Sequence, residues 1–262
     1  MNKIAVLDHG FVALRNLAGP TRRVWGDEEL FDAHDETGPY GIRKERPFDA
    51  DDTDPANAAR MSFDQTDSGR TREQDLKLAS YLMKHKHTTP FEMVEVWLEM
   101  KLPIFVARQF VRHRTVSINE VSGRYVELPA QWYVPSLEGV VLQTTDKKQG
   151  GAGIDLNDPE QVAKAERYRD RLDKDCFRSY CDYQDSVADG IAMEQARCHL
   201  HVNHYTHWLW KQDLHNIMHF LSLRDHSHAQ SEAQAYAKAV DQLLRAQLPA
   251  TMDLYDQFRR LP

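Results

Sequence analysis

The sequence predicts a mixed α/β fold of the α+β type. Residues 94–102 set apolar Val94, Val96, Leu98, Met100 and Leu102 against polar Glu95, Glu99 and Lys101. That period of two belongs to a half-buried strand. Stretches beginning at Thr71 and Asp158 carry helix-start signals followed by a helical period. No fixed repeat and no linker interrupts the 262 residues, so residues 1–262 are expected to form one domain.

The elements follow in order. Ile4 to Leu17 reads as one or two strands turning at Gly10. Residues 21–52 are rich in Asp, Glu, Arg, Gly and Pro and read as a polar excursion. A short helix from Pro55 to Ser62 is expected behind an Asp54 cap. Thr71 and Gln74 form a capping box that opens a helix through His85, with Leu76, Ala79, Leu82 and Met83 on one face. Pro90 is expected to end that region. After the strand at 94–102, Pro103 suits the first position of a helix reaching about Arg112. Gly123 to Val134 reads as a strand or extended loop, and 139–157 as a second polar insertion. Asp158-Pro159-Glu160-Gln161 starts a long amphipathic helix to about Val187. Then come a helix near Ala192–His199, a strand at 204–212, a helix capped by Asp213 and running to Leu223, and a last helix from Ser231 to Leu248.

Composition narrows the function. Hydrophobic residues are 41% and charged residues 28%, as in an ordinary globular protein. The net charge of −7 argues against a surface that wraps nucleic acid. The opening MNKIAVLDHGFVALRN has too short an apolar run for a signal peptide, and no stretch approaches the ~18 apolar residues of a membrane span. Cys176, Cys181 and Cys198 are odd in number and form no C-x-x-C pair, which suggests reduced thiols. The expected setting is the cytoplasm, away from membranes and nucleic acid.

Three constellations carry candidate chemistry. Arg112-His113-Arg114, with Ser117, Asn119, Glu120, Ser122 and Arg124 behind it, packs three guanidinium groups, an imidazole, a carboxylate, two hydroxyls and an amide into thirteen residues. Arginine forks grip phosphate in two places at once, so a phosphorylated ligand with a ring is one reading. A basic helix end with a solvated loop is the other. His87-Thr88-Thr89-Pro90-Phe91-Glu92 offers an imidazole that titrates near neutral pH, or a helix-terminal His bonding a backbone carbonyl. His215 and His219 stand four apart on one helix face, a metal-ligand spacing, but no H-E-x-x-H Glu and no nearby Cys accompany them. A polar helix face packed against another subunit is the alternative, and no metal is expected.

Arg112-His113-Arg114 followed by Ser122 resembles the signature of flavin-dependent thymidylate synthases. The resemblance extends in order and spacing through Ala59–Phe63, His87–Glu92, Pro103–Gln109, Asn119-Glu120, Ser122–Tyr125, His219–Arg224 and Asp225–Gln230. It covers about 56–136 and 190–245. It implies an antiparallel sheet flanked by long helices. It also implies methylation of dUMP to dTMP, with carbon from methylenetetrahydrofolate and reducing equivalents from NADPH through bound FAD.

The family pattern implies roles for single residues. Gln109, Arg112, Glu120, Ser122, Gly123, Arg124 and Arg197 would line the dUMP site. Arg224 would hold the uracil edge and favour its ionised form, the nearest thing to a catalytic residue. Ser62, His87, Thr89, Glu92, Arg112, His113, Arg114, Glu120, Asp213, His215 and His219 would surround FAD. Asp213, His215 and His219 stand where some relatives carry Asn, Arg and Asn. No Cys lies in or beside a motif, so C5 of uracil would be activated without a thiolate, by fixed donors that stabilise charge on the ring. The resemblance further implies a homotetramer with active sites where subunits meet. The insertions at about 21–52 and 139–157 carry no motif. Two readings of other classes remain at this stage. A non-catalytic nucleotide-binding module would bind no yellow chromophore, and a zinc hydrolase built on His215 and His219 would carry stoichiometric zinc.

Overall fold

The computed structural model describes residues 2–20, 49–63, 69–144 and 151–261. The excursion at 21–52 therefore lies mostly outside the described residues. Two strands, β1 (Lys3–Val6) and β2 (Gly10–Ala18), form the first hairpin. Its turn passes through Leu7 at φ 59°, and Gly10 opens β2 beneath the Tyr236 hydroxyl, where a Cβ would lie 1.9 Å from that oxygen. Only glycine fits there.

Helix α1 (Asp54–Arg60) starts one residue earlier than expected, and a 3₁₀ turn at Met61–Phe63 continues it. Thr53 holds the cap position, but its hydroxyl donates to Asp51 Oδ1 at 2.6 Å and not to the helix. Asp54 is instead a buried first helical residue that accepts from the Asp51 N–H at 2.7 Å. Helix α2 (Arg72–Lys84) has the expected capping box at Thr71 and Gln74. Pro90 does not end the region: it sits in the first turn of α3 (Thr89–Glu92), where its missing N–H costs nothing. Strand β3 (Glu95–Pro103) follows, with Pro103 as its last residue and as the cap of α4 (Ile104–Phe110).

Strand β4 (Ser117–Glu120) was not foreseen, because a single apolar residue, Ile118, among three polar ones gives no alternating signal. Residues 123–134 hold no named strand: a turn at 123–126 leads into the loop that was the other expectation, with one isolated bridge between Trp132 and His204. The second insertion contains a two-residue hairpin, β5 (Val141–Leu142) and β6 (Ala152–Gly153). Helix α5 (Pro159–Ala188) is capped by Asp158, and α6 (Met193–Ala196) runs into a 3₁₀ turn at Arg197–His199. Strand β7 (Tyr205–Asp213), α7 (Leu214–Arg224), α8 (Ser231–Gln247) and α9 (Pro249–Phe258) complete the described chain. Helix α8 is therefore not the last. Pro249 breaks the helical period and starts α9.

Five strands make one antiparallel sheet in the order β1-β2-β3-β7-β4. Met100 pairs with Trp208 and Leu98 with Trp210, so the core faces of β3 and β7 coincide. Val96, Leu98, Met100, Leu102, Trp208 and Trp210 are buried against α7 and α8, where Phe220, Leu221, Tyr236, Val240 and Leu244 supply the other side. This burial of large apolar side chains is the main stabilising term. It also fixes α7, which matters for the site. Helix α5 packs elsewhere: Tyr180 and Tyr183 join Ala196 in a second small core. No helix among the described residues is long and apolar enough to cross a membrane.

Candidate active site

The motif residues divide into three places. The first is a pocket of about 320 Å³ where β4, β7 and the 3₁₀ turn at Arg197–His199 converge. Glu120, Ser122, Gly123 and Arg197 line it together with Tyr205 and Thr206. The register explains the meeting: Glu120 pairs with Trp208, and the Val121 N–H donates to His207 O at 2.8 Å, which holds the chain against β7 as it enters the motif. The Thr206 hydroxyl donates to the Glu120 carboxylate. The Arg124 N–H donates to Ser122 Oγ at 3.3 Å. Gly123 is buried, and a Cβ there would meet Leu128 Cδ1 at 3.0 Å and Arg197 Cδ at 3.4 Å. Any side chain would push on the guanidinium stem that reaches into the pocket.

Glu194 was not anticipated. Its carboxylate accepts from Arg124 Nε at 3.1 Å, and its backbone carbonyl accepts from Arg197 Nε at 3.3 Å. One residue thus carries both arginines. The Arg124–Glu194 pair is half-exposed, so water and salt keep it weak and exchangeable for another anion. Sequence spacing gave no signal, since the partners are 70 residues apart.

The second place is the exposed edge of α7. Asp213 caps the helix, accepting from the backbone and side-chain nitrogens of Asn216 at 2.9 and 2.8 Å. At the other end Arg224 Nε donates to His113 Nε2 at 2.9 Å, and Arg224 Nη2 donates to Gln109 O at 3.1 Å. Gln109 Nε2 in turn donates to Gln230 Oε1 at 2.7 Å. Guanidinium has no acceptor, so His113 Nε2 must be the acceptor and the imidazole proton sits on Nδ1. Burial, then the charge of Arg224, then His219, lower the His113 pKa to about 4. The ring is neutral at pH 7. Its edge contact with Phe220, at 5.0 Å between centroids, fixes its plane. Burial also lowers the Arg224 pKa. With Nε and Nη2 tied back, Nη1 remains as a fixed donor edge.

His215 is half-buried and His219 exposed on the same helix. Burial and Arg259 lower the His215 pKa, while Glu92 and Asp213 oppose them. Glu92, His215, His219, His113 and Arg224 thus form one electrostatically connected strip. Among the described residues no cluster of three or more His, Cys, Asp or Glu is arranged to hold a metal.

The third place is the outer surface. Arg112 and Arg114 are exposed, and among the described residues neither guanidinium makes an ion pair or hydrogen bond. Thr115, next to Arg114, has φ 63°, a strained value for a β-branched residue. That turn carries the chain from α4 into β4 and leaves Arg114 O accepting from Gln212 Nε2 at 2.9 Å. Ser62, His87 and Thr89 are also exposed. The His87 backbone N–H, not its ring, bonds Leu82 O, and its ring lies 6.0 Å from that of Tyr81. No hydrogen bond or ion pair among the described residues joins the Ser122 pocket to the Arg224 strip.

A larger, mostly apolar cavity of about 760 Å³ lies between α5 and the 133–141 segment; Phe105 and Gln230 of the motif segments line it, but none of the predicted site residues does. The cysteines stay outside the site. Cys176 is buried beside Asn203 and His201, Cys181 is half-buried, and Cys198 is exposed.

Comparison with known proteins identifies the family. Residues 47–250 match the family model described as thymidylate synthase complementing protein. A flavin-dependent thymidylate synthase of Gluconobacter oxydans is 38% identical over 224 residues, covering 84% of this chain and 71% of the relative. One from Ehrlichia ruminantium is 41% identical over 202 residues, covering 77% and 65%. One from Ruegeria pomeroyi is 37% identical over 254 residues, covering 94% and 82%. Among solved structures, the UMP/dUMP methylase PolB of Streptomyces cacaoi, bound with 5-Br dUMP, superposes with a TM-score of 0.75 at 25% identity, covering 98% of this chain and 99% of the other. The order and spacing of the motifs, the antiparallel sheet that carries them and these matches agree: this chain belongs to the flavin-dependent thymidylate synthase family.

Proposed function

We propose that this chain converts dUMP to dTMP with methylenetetrahydrofolate as carbon donor, NADPH as reductant and FAD as cofactor. The observation that carries the site assignment is the tied guanidinium of Arg224 beside a neutral His113. The residues present fit both ligands. Exposed Arg112 and Arg114 offer free forks to phosphate groups. Gly123 lines the pocket, and its lack of a side chain leaves the Arg197 stem its place there.

When bound, FAD supplies the reducing equivalents; the protein supplies orientation and charge. Arg197, Arg124 and Ser122 hold the nucleotide, with Glu120 fixed by Thr206 as an acceptor. Arg224 presents Nη1 to the uracil edge and stabilises negative charge there, which raises electron density at C5. Its two internal bonds set that donor before substrate arrives, so no reorganisation is needed as charge develops. His113 stays neutral, which leaves Arg224 as the cation that faces the uracil.

Within one chain the Ser122 pocket and the Arg224 strip share no lining residue, and no hydrogen bond or ion pair among the described residues joins them. We propose that a homotetramer brings one chain's pocket to another chain's strip, completing each dUMP site at a subunit interface. The three unpaired cysteines support a reducing, cytoplasmic setting. Residues 1–262 act as one catalytic domain in this reading.

The test is the absorption spectrum of the purified protein. Flavin bands should bleach on adding NADPH without oxygen and return in air. Protein that neither retains nor takes up FAD refutes the proposal.

A further inference from the structure

His215 has a partner that lies beyond the family-matched region. The match ends at residue 250, and Arg259 Nη2 reaches His215 Nδ1 at 3.2 Å. Helix α9 and the residues after it are firmly seated. The Thr251 N–H donates to the buried carboxylate of Asp52 at 2.8 Å, and Met252 and Tyr255 are buried. The N–H groups of Arg259 and Arg260 both donate to Tyr255 O at 2.9 Å. Arg260 pairs with Asp225, with Asp241 at 2.6 Å and with Asp256 at 2.7 Å. Asp225 directly follows Arg224. Arg259 and Arg260 therefore engage α7 at both ends: one through His215 in its first turn, the other just past its last residue.

We propose that Arg259 is a positioning residue for the flavin face of α7: it holds His215 as a neutral imidazole, with Nδ1 accepting from the guanidinium and the proton on Nε2. This rests on the reading of α7 as that face. An arginine can only donate, so the bond fixes the tautomer. The charged and titratable groups facing His215 are Arg259 and His219, which disfavour its protonation, and Glu92 and Asp213, which favour it; burial adds to the first pair. The outcome is a ring that presents an N–H donor on the side away from Arg259. Such a donor suits the carbonyl oxygens or ring nitrogens of a flavin; a flipped ring would not present the same edge, and a protonated ring would lose the Nδ1 acceptor that Arg259 holds. The arrangement repeats at the other end of the helix, where Arg224 holds His113.

The experiment uses the full-length chain with ring-¹⁵N histidine, assigned by His215→Asn, and FAD titrated as the probe. In the wild type His215 should show an unprotonated Nδ1 and a protonated Nε2 at pH 7. Arg259→Ala should mix the tautomers and weaken FAD binding about five- to tenfold, the scale of one lost hydrogen bond. Arg259→Lys should restore part of both. If Arg259→Ala does not fold, Arg259→Gln keeps a side-chain N–H without charge and should hold the tautomer. A protonated Nδ1 in the wild type overturns the proposal. So does an unchanged FAD dissociation constant in Arg259→Ala. Wild type that takes up no FAD fails differently: it refutes the flavin reading itself.

Discussion

Arg224 and Arg112 belong to the same proposed nucleotide site, yet the fold treats them oppositely. Arg224 is half-buried at the end of α7 and tied by two hydrogen bonds to His113 and Gln109. Arg112 is exposed, and no described residue engages its guanidinium. A donor fixed before the ligand arrives stabilises charge as it develops and costs no reorganisation. A mobile donor loses side-chain entropy when it binds, but it adapts to whatever phosphate geometry arrives. In the proposed reaction the two regions would divide the work: the strip on α7 for rate, the exposed arginines for capture.

Arg224→Ala tests the first half and should have the largest effect. Loss of one preorganised donor costs ~10²–10³ in rate, or about 3–4 kcal/mol. Single-turnover dTMP formation should fall by that factor even at saturating dUMP, with FAD content unchanged. Arg224→Lys should recover only part, because an ammonium lacks the planar fork. Near-normal synthesis in Arg224→Ala would remove the distinction between the two regions.

The second effect is on stability and tests whether the strip is preset in the free protein. The His113 pKa falls from 6.5 to about 4 on folding. The unfolded chain thus takes up this proton first as pH drops. Stability should be full above about pH 6.5 and be lost progressively down to about pH 4, by roughly 3 kcal/mol for this residue. His204, also lowered to about 4, adds in the same direction. Denaturant unfolding of wild type and His113→Asn at pH 7 and pH 4.5 separates the two. Equal pH dependence in both would mean that His113 is not held neutral.

Arg112→Ala tests the other half. A charge-assisted phosphate contact is worth about 1.5–3 kcal/mol, so ligand binding should weaken by ten- to a hundredfold. The rate at saturation should change little. The signature is a raised KM with kcat preserved. A fall in kcat as deep as that of Arg224→Ala would mean that Arg112 is also preorganised once ligand is bound.

The smallest effect sharpens the comparison by exclusion. Changing Cys176, Cys181 and Cys198 together to Ser should leave dTMP formation within about twofold, the scale of substitutions away from functional features. None of the three lines the Ser122 pocket or the Arg224 strip. Complete loss of activity with fold and FAD intact would point to a thiolate route.

Local chemistry was legible from residues alone. The capping box at Thr71, the caps at Asp158 and Asp213, the alternation of β3 and the helical periods of α5 and α8 are short-range signals, and the fold obeys them. The Arg112–Arg124 motif also declared itself, because so dense a set of polar groups has no use in a core. What neighbours along the chain could not reveal was convergence. Strand β4 has no pattern of its own and exists because β7 offers it an edge. Glu194 carries Arg124 and Arg197 only because a 3₁₀ turn folds back onto the motif. Arg224 and His113 meet across 111 residues, and Arg259 and His215 across 44. Hydrogen bonds act over about 3 Å, so burial and sheet register decide which distant groups come that close. Whether an arginine is free or held, and which nitrogen of a histidine keeps its proton, follows from those contacts.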